Sequence, residues 1–153
     1  MQAKKKVTVD VGDQVPAFTL RDQNGNEFNI EDYRGKKLIV YFYPKNESGV
    51  CTKEACAFRD NYKVFEDKGA MVIGINSGTV ESHKKFAEHH RLNFTLLSDS
   101  GNRVLKSFGI RNILFLTGRE TFVVNEQGRV VFRYRGFLNG DAHVANTLEY
   151  LNN

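Results

Sequence analysis

The alternation of apolar and polar positions divides the chain into short, well-marked segments. Phe18-Thr19-Leu20 and Glu27-Phe28-Asn29-Ile30 alternate around an Asn24-Gly25 turn, so Val11 to Ile30 is expected to be a lead-in followed by a β-hairpin. Asp32-Tyr33-Arg34-Gly35 is a tight connection into Lys37–Tyr43, an apolar, β-branched and aromatic run of the kind that forms a fully buried strand. Pro44 ends it, because proline has no N–H to give a ladder. A polar loop then leads to a helix expected to begin near Cys51 and stop near Gly69. On it Cys51, Ala55, Phe58, Tyr62 and Phe65 fall on one stripe about 80° wide, the face that packs on a sheet.

Met71 to Asn76 reads as a second buried strand, and Thr79 or Ser82 as the start of a helix carrying His83, Phe86, His89 and His90. Thr95-Leu96-Leu97 is a short segment near the sheet, and Asn102 to Phe108 a short helix closed by Gly109. Arg119–Asn125 and Arg129–Tyr134 form a hairpin across Glu126-Gln127-Gly128. Asp141 is expected to cap a last helix reaching Leu151, with Val144, Leu148 and Leu151 on one side. Strands and helices in this order predict an α/β fold: a mixed central sheet flanked by helices, with an N-terminal β-hairpin. The pattern shows no repeat, low-complexity segment or domain boundary.

Composition adds a few limits. A chain of 153 residues with 41% hydrophobic content is one domain large enough for a real core. The net charge is +4, and removing Lys4, Lys5 and Lys6 takes it to +1, so residues 1–10 are expected to be a flexible basic tail ahead of a folded domain over 11–153. Without a motif or interleaved aromatics, nucleic-acid binding is not expected. No stretch has the length of a transmembrane helix and no secretory leader is visible, so a cytoplasmic location is expected. A mature chain that had shed an organellar address would read the same. In a reducing compartment two cysteines point to catalysis rather than to a structural bridge.

Those cysteines carry the candidate chemistry. Ser48 stands three residues before Cys51, the spacing of a helix N-cap to its N3 position. A helix N-terminus offers unpaired N–H groups and partial positive charge, which favour the reactive thiolate. The Ser48 hydroxyl either caps the helix or reaches whatever binds beside the sulfur, and spacing leaves both readings open. In an intact helix the Cα atoms of Cys51 and Cys56 stand about 8 to 9 Å apart, beyond the roughly 7 Å that a disulfide spans. A bond between them therefore requires the first helical turns to unwind. Cys-x4-Cys without a compact His pair is poor zinc spacing, and His89 and His90, being adjacent, are expected to point to different sides as surface residues. No metal or cofactor is expected, and neither a Cys-x-x-Cys pair nor a phosphate-binding loop is present.

The pattern Pro44-x-x-x-Ser48-x-x-Cys51 resembles the active-site signature of the peroxiredoxins. Cys51-Thr-Lys-Glu-Ala-Cys56, followed by Phe58-Arg59-Asp60, is similar to their Q-type subgroup, the bacterioferritin-comigratory proteins. The resemblance runs from about Val11 to the C-terminus. It implies a thioredoxin-like fold and a thiol-dependent peroxidase acting on hydrogen peroxide and organic hydroperoxides. In that reading Cys51 attacks peroxide, Cys56 resolves the sulfenate as an intramolecular disulfide, and thioredoxin or a similar dithiol reduces the product. Pro44 shields the sulfur, and Ser48 and an arginine stabilise charge on the departing oxygen. Spacing does not choose among the arginines. The resemblance does, because Arg119 in Arg119-x-Thr121-Phe122-Val123-Val124 matches the family arginine beside the active site. An intramolecular pair suits a monomer and permits a dimer. The reading of another class is a non-catalytic thioredoxin-fold domain that binds a partner or senses oxidants.

Overall fold

Residue parity along the central strand decides which side chains can meet. In the computed structural model, which describes residues 9–110, 112–113, 116–117, 119–136 and 140–152, the run after Gly35 forms β3 (Lys37–Phe42). Successive side chains of a strand point to opposite faces. Leu38, Val40 and Phe42 therefore enter one core, and Ile39, Tyr41 and Tyr43 enter another across the sheet.

The sheet is built outward from β3. The hairpin β1 (Thr19–Asp22) and β2 (Glu27–Asn29) forms one edge, followed by β5 (Thr95–Ser98), β4 (Ala70–Asn76) and β3, then β8 (Glu120–Val124) and β9 (Val130–Arg135). β3, β4 and β5 run parallel, whereas β1–β5, β3–β8 and β8–β9 are antiparallel. The segment expected only near the sheet, Thr95–Leu97, is thus a full internal strand. A separate antiparallel pair joins β6 (Asn112–Ile113) to β7 (Leu116–Thr117).

Helices cover both faces. α1 (Gly49–Asp60), α2 (Tyr62–Asp67), α3 (Val80–His89) and α5 (Gly140–Asn152) supply Cys51, Ala55, Phe58, Phe65, Phe86 and Val144 to the core containing Tyr41. On the other face α4 (Arg103–Ser107) and the lead-in contribute Val104, Leu105, Val9 and Val15. This is the mixed α/β arrangement expected, with its N-terminal hairpin in place.

Several boundaries differ for local reasons. The helix expected to run to Gly69 breaks at Asn61, where φ and ψ of −103° and 8° leave the helical region. The Asn61 side chain donates to the Ala57 carbonyl at 2.8 Å, competing with the backbone ladder. Of the two expected starts of α3, Thr79 is the cap, its Oγ1 accepting the Ser82 N–H at 3.0 Å. Asp141 lies inside the first turn of α5 rather than before it. Within the expected tail, residues 1–8 lie outside the described residues, while Val9 is buried and donates its N–H to the Phe108 carbonyl.

Candidate active site

The site forms where the end of β3 meets the start of α1. Ser48, extended at φ −70° and ψ 151°, is the N-cap. Its Oγ accepts the Cys51 N–H at 3.4 Å and donates to the Lys45 carbonyl at 3.3 Å. The hydroxyl is therefore a cap in this state, with its proton turned toward the loop. Cys51 falls at N3, and its position on the inward stripe leaves it only 1% exposed. Pro44 follows the strand, and the carbonyls of Tyr43 and Pro44 accept from the Asn76 amide at 3.3 and 3.0 Å. The Asn46 amide bridges Tyr43 to α3: its Oδ1 accepts from the Tyr43 hydroxyl, and its Nδ2 contacts Ser82 Oγ and His83 Nδ1.

Parity brings the arginine to the sulfur. Phe122 and Val124 of β8 face the far core, so Val123, Thr121 and Arg119 share the α1 face. Arg119 is 2% exposed, and its Nη2 donates to Cys51 Sγ at 3.0 Å while Nη1 pairs with Glu54 Oε1. Burial works against the guanidinium charge, but Glu54 and Cys51 outweigh it and hold its pKa above the ordinary value. The structure thus brings together Cys51, Ser48 and Arg119, while Pro44 stands two residues past the end of β3, held through its carbonyl by Asn76. Cys56 lies half-buried on the same intact helix, and both sulfurs are free thiols.

Glu54 is a site residue that the sequence reading passed over. It is fully buried, and burial pushes its carboxyl up to about 8 against the opposing pull of Arg119. Oε2 has no hydrogen-bond partner among the described residues and lies 3.6 Å from His143 Nδ1. His143 Nε2 donates to the Gly136 carbonyl at 2.8 Å, leaving Nδ1 to accept from the Thr121 hydroxyl at 2.8 Å. Burial lowers its pKa to about 4, so the imidazole is neutral. The available signal was Glu54's spacing: three residues after Cys51 places a carboxylate beside the inward stripe. Gly140 lets α5 close over this group, since a Cβ there would stand 2.6 Å from the Glu54 Cβ and 2.8 Å from the Val50 carbonyl oxygen.

His89 and His90 do not diverge. His90 is the C-cap of α3 at φ −103°, so its ring leaves the helical path and both rings meet Glu47.

A buried sulfur with a charged donor on one side and a helix start beneath it is arranged to hold a thiolate and stabilise displaced negative charge. The comparisons fit that chemistry. The model of the AhpC/TSA family matches residues 11–133. Peroxiredoxin Q of Sedum lineare, named as chloroplastic, is 46% identical over 145 residues, covering 94% of this chain and 78% of that protein. The peroxidoxin BcpB structure from Mycobacterium tuberculosis superposes with a TM-score of 0.87 at 34% identity, over 94% of this chain and 97% of the other. The Xanthomonas campestris bacterioferritin comigratory protein, whose structures were solved to study its alkyl peroxide reduction activity, gives 0.83 at 25% identity, over 94% and 98%. With the shared thioredoxin-like sheet and both cysteines on the helix that follows its central strand, these similarities make the chain a member of the AhpC/TSA family, a Q-type peroxiredoxin and hence a thiol peroxidase.

Proposed function

We propose that Cys51 is the peroxide-attacking cysteine, that Cys56 resolves it, and that thioredoxin or a similar dithiol recycles the enzyme. The observation carrying this reading is the 3.0 Å donation from Arg119 Nη2 to a Cys51 sulfur seated over a capped helix start. The Cys51 thiolate attacks the terminal oxygen of a hydroperoxide. An S–O bond forms, the O–O bond breaks, and the displaced oxygen leaves with the electron pair and takes a proton to become water or an alcohol. Arg119 holds the thiolate before attack and faces the negative charge as it moves to the leaving oxygen. Ser48 and the Cys51 N–H share a long 3.4 Å hydrogen bond, which a bound peroxide oxygen replaces at little cost. Pro44 keeps the flank of the sulfur apolar.

Resolution joins the two sulfurs. The Cys56 sulfur attacks Cys51 Sγ, the S–S bond forms, the S–O bond breaks, and hydroxide leaves and is protonated to water. Because intact helical geometry separates the two Cα atoms by about 8 to 9 Å, the step needs the first turns of α1 to open. A dithiol then reduces the disulfide by exchange. In this reading hydrogen peroxide and organic hydroperoxides are substrates, no cofactor or nucleic acid takes part, and a cytoplasmic monomer suffices, a dimer being permitted. Among the described residues no helix is long and apolar enough to cross a membrane.

Peroxide consumption with thioredoxin, its reductase and NADPH tests the assignment in wild type, Cys51→Ser and Cys56→Ser. Turnover is expected to vanish in both variants, with one stoichiometric reduction surviving in Cys56→Ser. Full turnover in Cys56→Ser would remove the internal disulfide, and a surviving first reduction in Cys51→Ser would remove Cys51 from the chemistry.

A further inference from the structure

Glu47 lies in the loop between β3 and α1, one residue before the Ser48 cap, at a positive φ of 65°. Its carboxylate reaches the C-terminal end of α3. There Oε2 meets His89 Nδ1 at 2.7 Å and Oε1 meets His90 Nε2. The two rings lie with centroids 4.1 Å apart. His90 is fixed from behind, its ring set edgewise on Phe86 at 5.1 Å and its carbonyl accepting from Arg59 Nη1 at 2.6 Å. Glu47 and His89 are exposed, with side chains 49% and 66% accessible, so ions reach them from solvent.

The three candidate donor atoms, one per residue, lie within 4.8 Å of one another. A tetrahedral ion with bonds of about 2.0 to 2.1 Å sets its ligand atoms roughly 3.4 Å apart. The 2.7 Å Glu47–His89 contact opens by about 0.7 Å, and the widest separation, at most 4.8 Å, closes by up to about 1.4 Å, for an ion to take the place of the hydrogen bonds. Two imidazoles and one carboxylate suit a borderline transition ion and not magnesium or calcium, which prefer oxygen. We propose that Glu47, His89 and His90 form a binding site for a divalent transition-metal ion of the zinc class, with water completing the coordination.

The site ties the segment bearing the Ser48 cap to α3, and α3 is already joined to α1 through Arg59 and the His90 carbonyl. An ion there adds a restraint beside the turns that must open. Resting on the reading that Cys51 and Cys56 join, bound metal slows formation of that disulfide.

Zinc titrated calorimetrically into reduced wild type and into a chain carrying both Cys51→Ser and Cys56→Ser is expected to show one saturable ion in each. Glu47→Gln and His90→Asn are each expected to weaken it by at least about 10-fold. Disappearance of binding in the double-serine chain would assign the ion to the thiols and overturn the site. Unchanged affinity in Glu47→Gln and His90→Asn would overturn it equally. These titrations read the site whether or not the two sulfurs ever join. The restraint is read separately, as slower peroxide-driven disulfide closure with zinc in wild type than in Glu47→Gln, and equal slowing in both would remove it.

Discussion

Replacing Glu54 by Gln removes an ionisable group from the centre of the site while keeping its volume and the oxygen that meets Arg119. Burial moves this carboxyl from 4.5 up to about 8. Between those values the folded chain holds a proton that the unfolded chain has released. The contribution is whole below 4.5, declines as pH rises through the window, and is lost once pH passes the folded value near 8. At about 1.4 kcal/mol per pKa unit, wild type loses up to about 5 kcal/mol relative to the variant across that window. Relaxation and water entry around an ionised Glu54 bring the figure to on the order of 3 kcal/mol.

Urea unfolding under reducing conditions at about pH 5 and about pH 9 measures it, as the stability of Glu54→Gln minus that of wild type. The difference is expected to grow toward the variant by roughly 3 kcal/mol between the two pH values. Glu47, His83 and His143 also have shifted pKa values, but they do so in both chains and cancel. A difference that stays constant, or that moves toward wild type as pH rises, would mean that Glu54 is ionised against Arg119 throughout and would refute the argument. The functional stake is where the guanidinium charge goes. A neutral Glu54 still accepts from Arg119 Nη1 but leaves Cys51 as the anion facing the guanidinium, whereas an ionised Glu54 shares that charge.

Arg119→Met is expected to lower the rate of peroxide reduction by about 100- to 1,000-fold in stopped-flow assays, the loss typical of a charged donor facing a developing anion. Arg119→Lys should recover only part of it, because one ammonium cannot span both Cys51 and Glu54 as the planar fork does. Gly140→Ala should destabilise the fold by about 1 to 3 kcal/mol in thermal unfolding, since the new methyl meets the Glu54 Cβ at 2.6 Å and the Val50 carbonyl. Ser48→Ala should destabilise the start of α1 by about 1 kcal/mol, seen as faster amide exchange near Cys51. Peroxide-oxidised protein should lose amide protection in the first turns of α1, whereas oxidised Cys56→Ser should keep it.

The fold was legible wherever one face of an element met a core. The period of two in β3 is seen as read, and the residues from Cys51 to Phe65 reach one core, though across the break between α1 and α2. Boundaries set by single side chains were less visible. The break at Asn61 depends on an amide turning back to Ala57. Within the site, Cys51 and Ser48 were legible from local helix chemistry. Arg119 needed a resemblance, because its partner is 68 residues away and no local pattern joins them. Glu54 and His143 were missed for the same reason: an inward carboxylate looks like any helix surface residue until the strand opposite it is known. His89 and His90 were misread because the helical angle ceases to apply at a C-cap.

If Cys51 attacks peroxide and Cys56 resolves it, as proposed, the contacts that hold the Cys51 sulfur also oppose the unwinding that resolution needs, and charge reconciles the two. A thiolate accepting from Arg119 forms a charge-assisted hydrogen bond worth about 1.5 to 3 kcal/mol, whereas a neutral sulfenic acid accepts one worth nearer 1 kcal/mol. Oxidation thus weakens the tether at the atom that must leave the core. What then resists opening is the burial of Cys51 and Ala55 and the Ser48 cap, a cap contributing about 1 kcal/mol. On the proposed assignment the first turn is expected to stay closed while the sulfur is charged and to open once peroxide has neutralised it. A variant that kept a permanent anion at position 51, such as Cys51→Asp, should accordingly protect the amides of α1 from exchange more than Cys51→Ser does. Equal protection in the two would show that packing, and not the Arg119 charge, holds the helix shut.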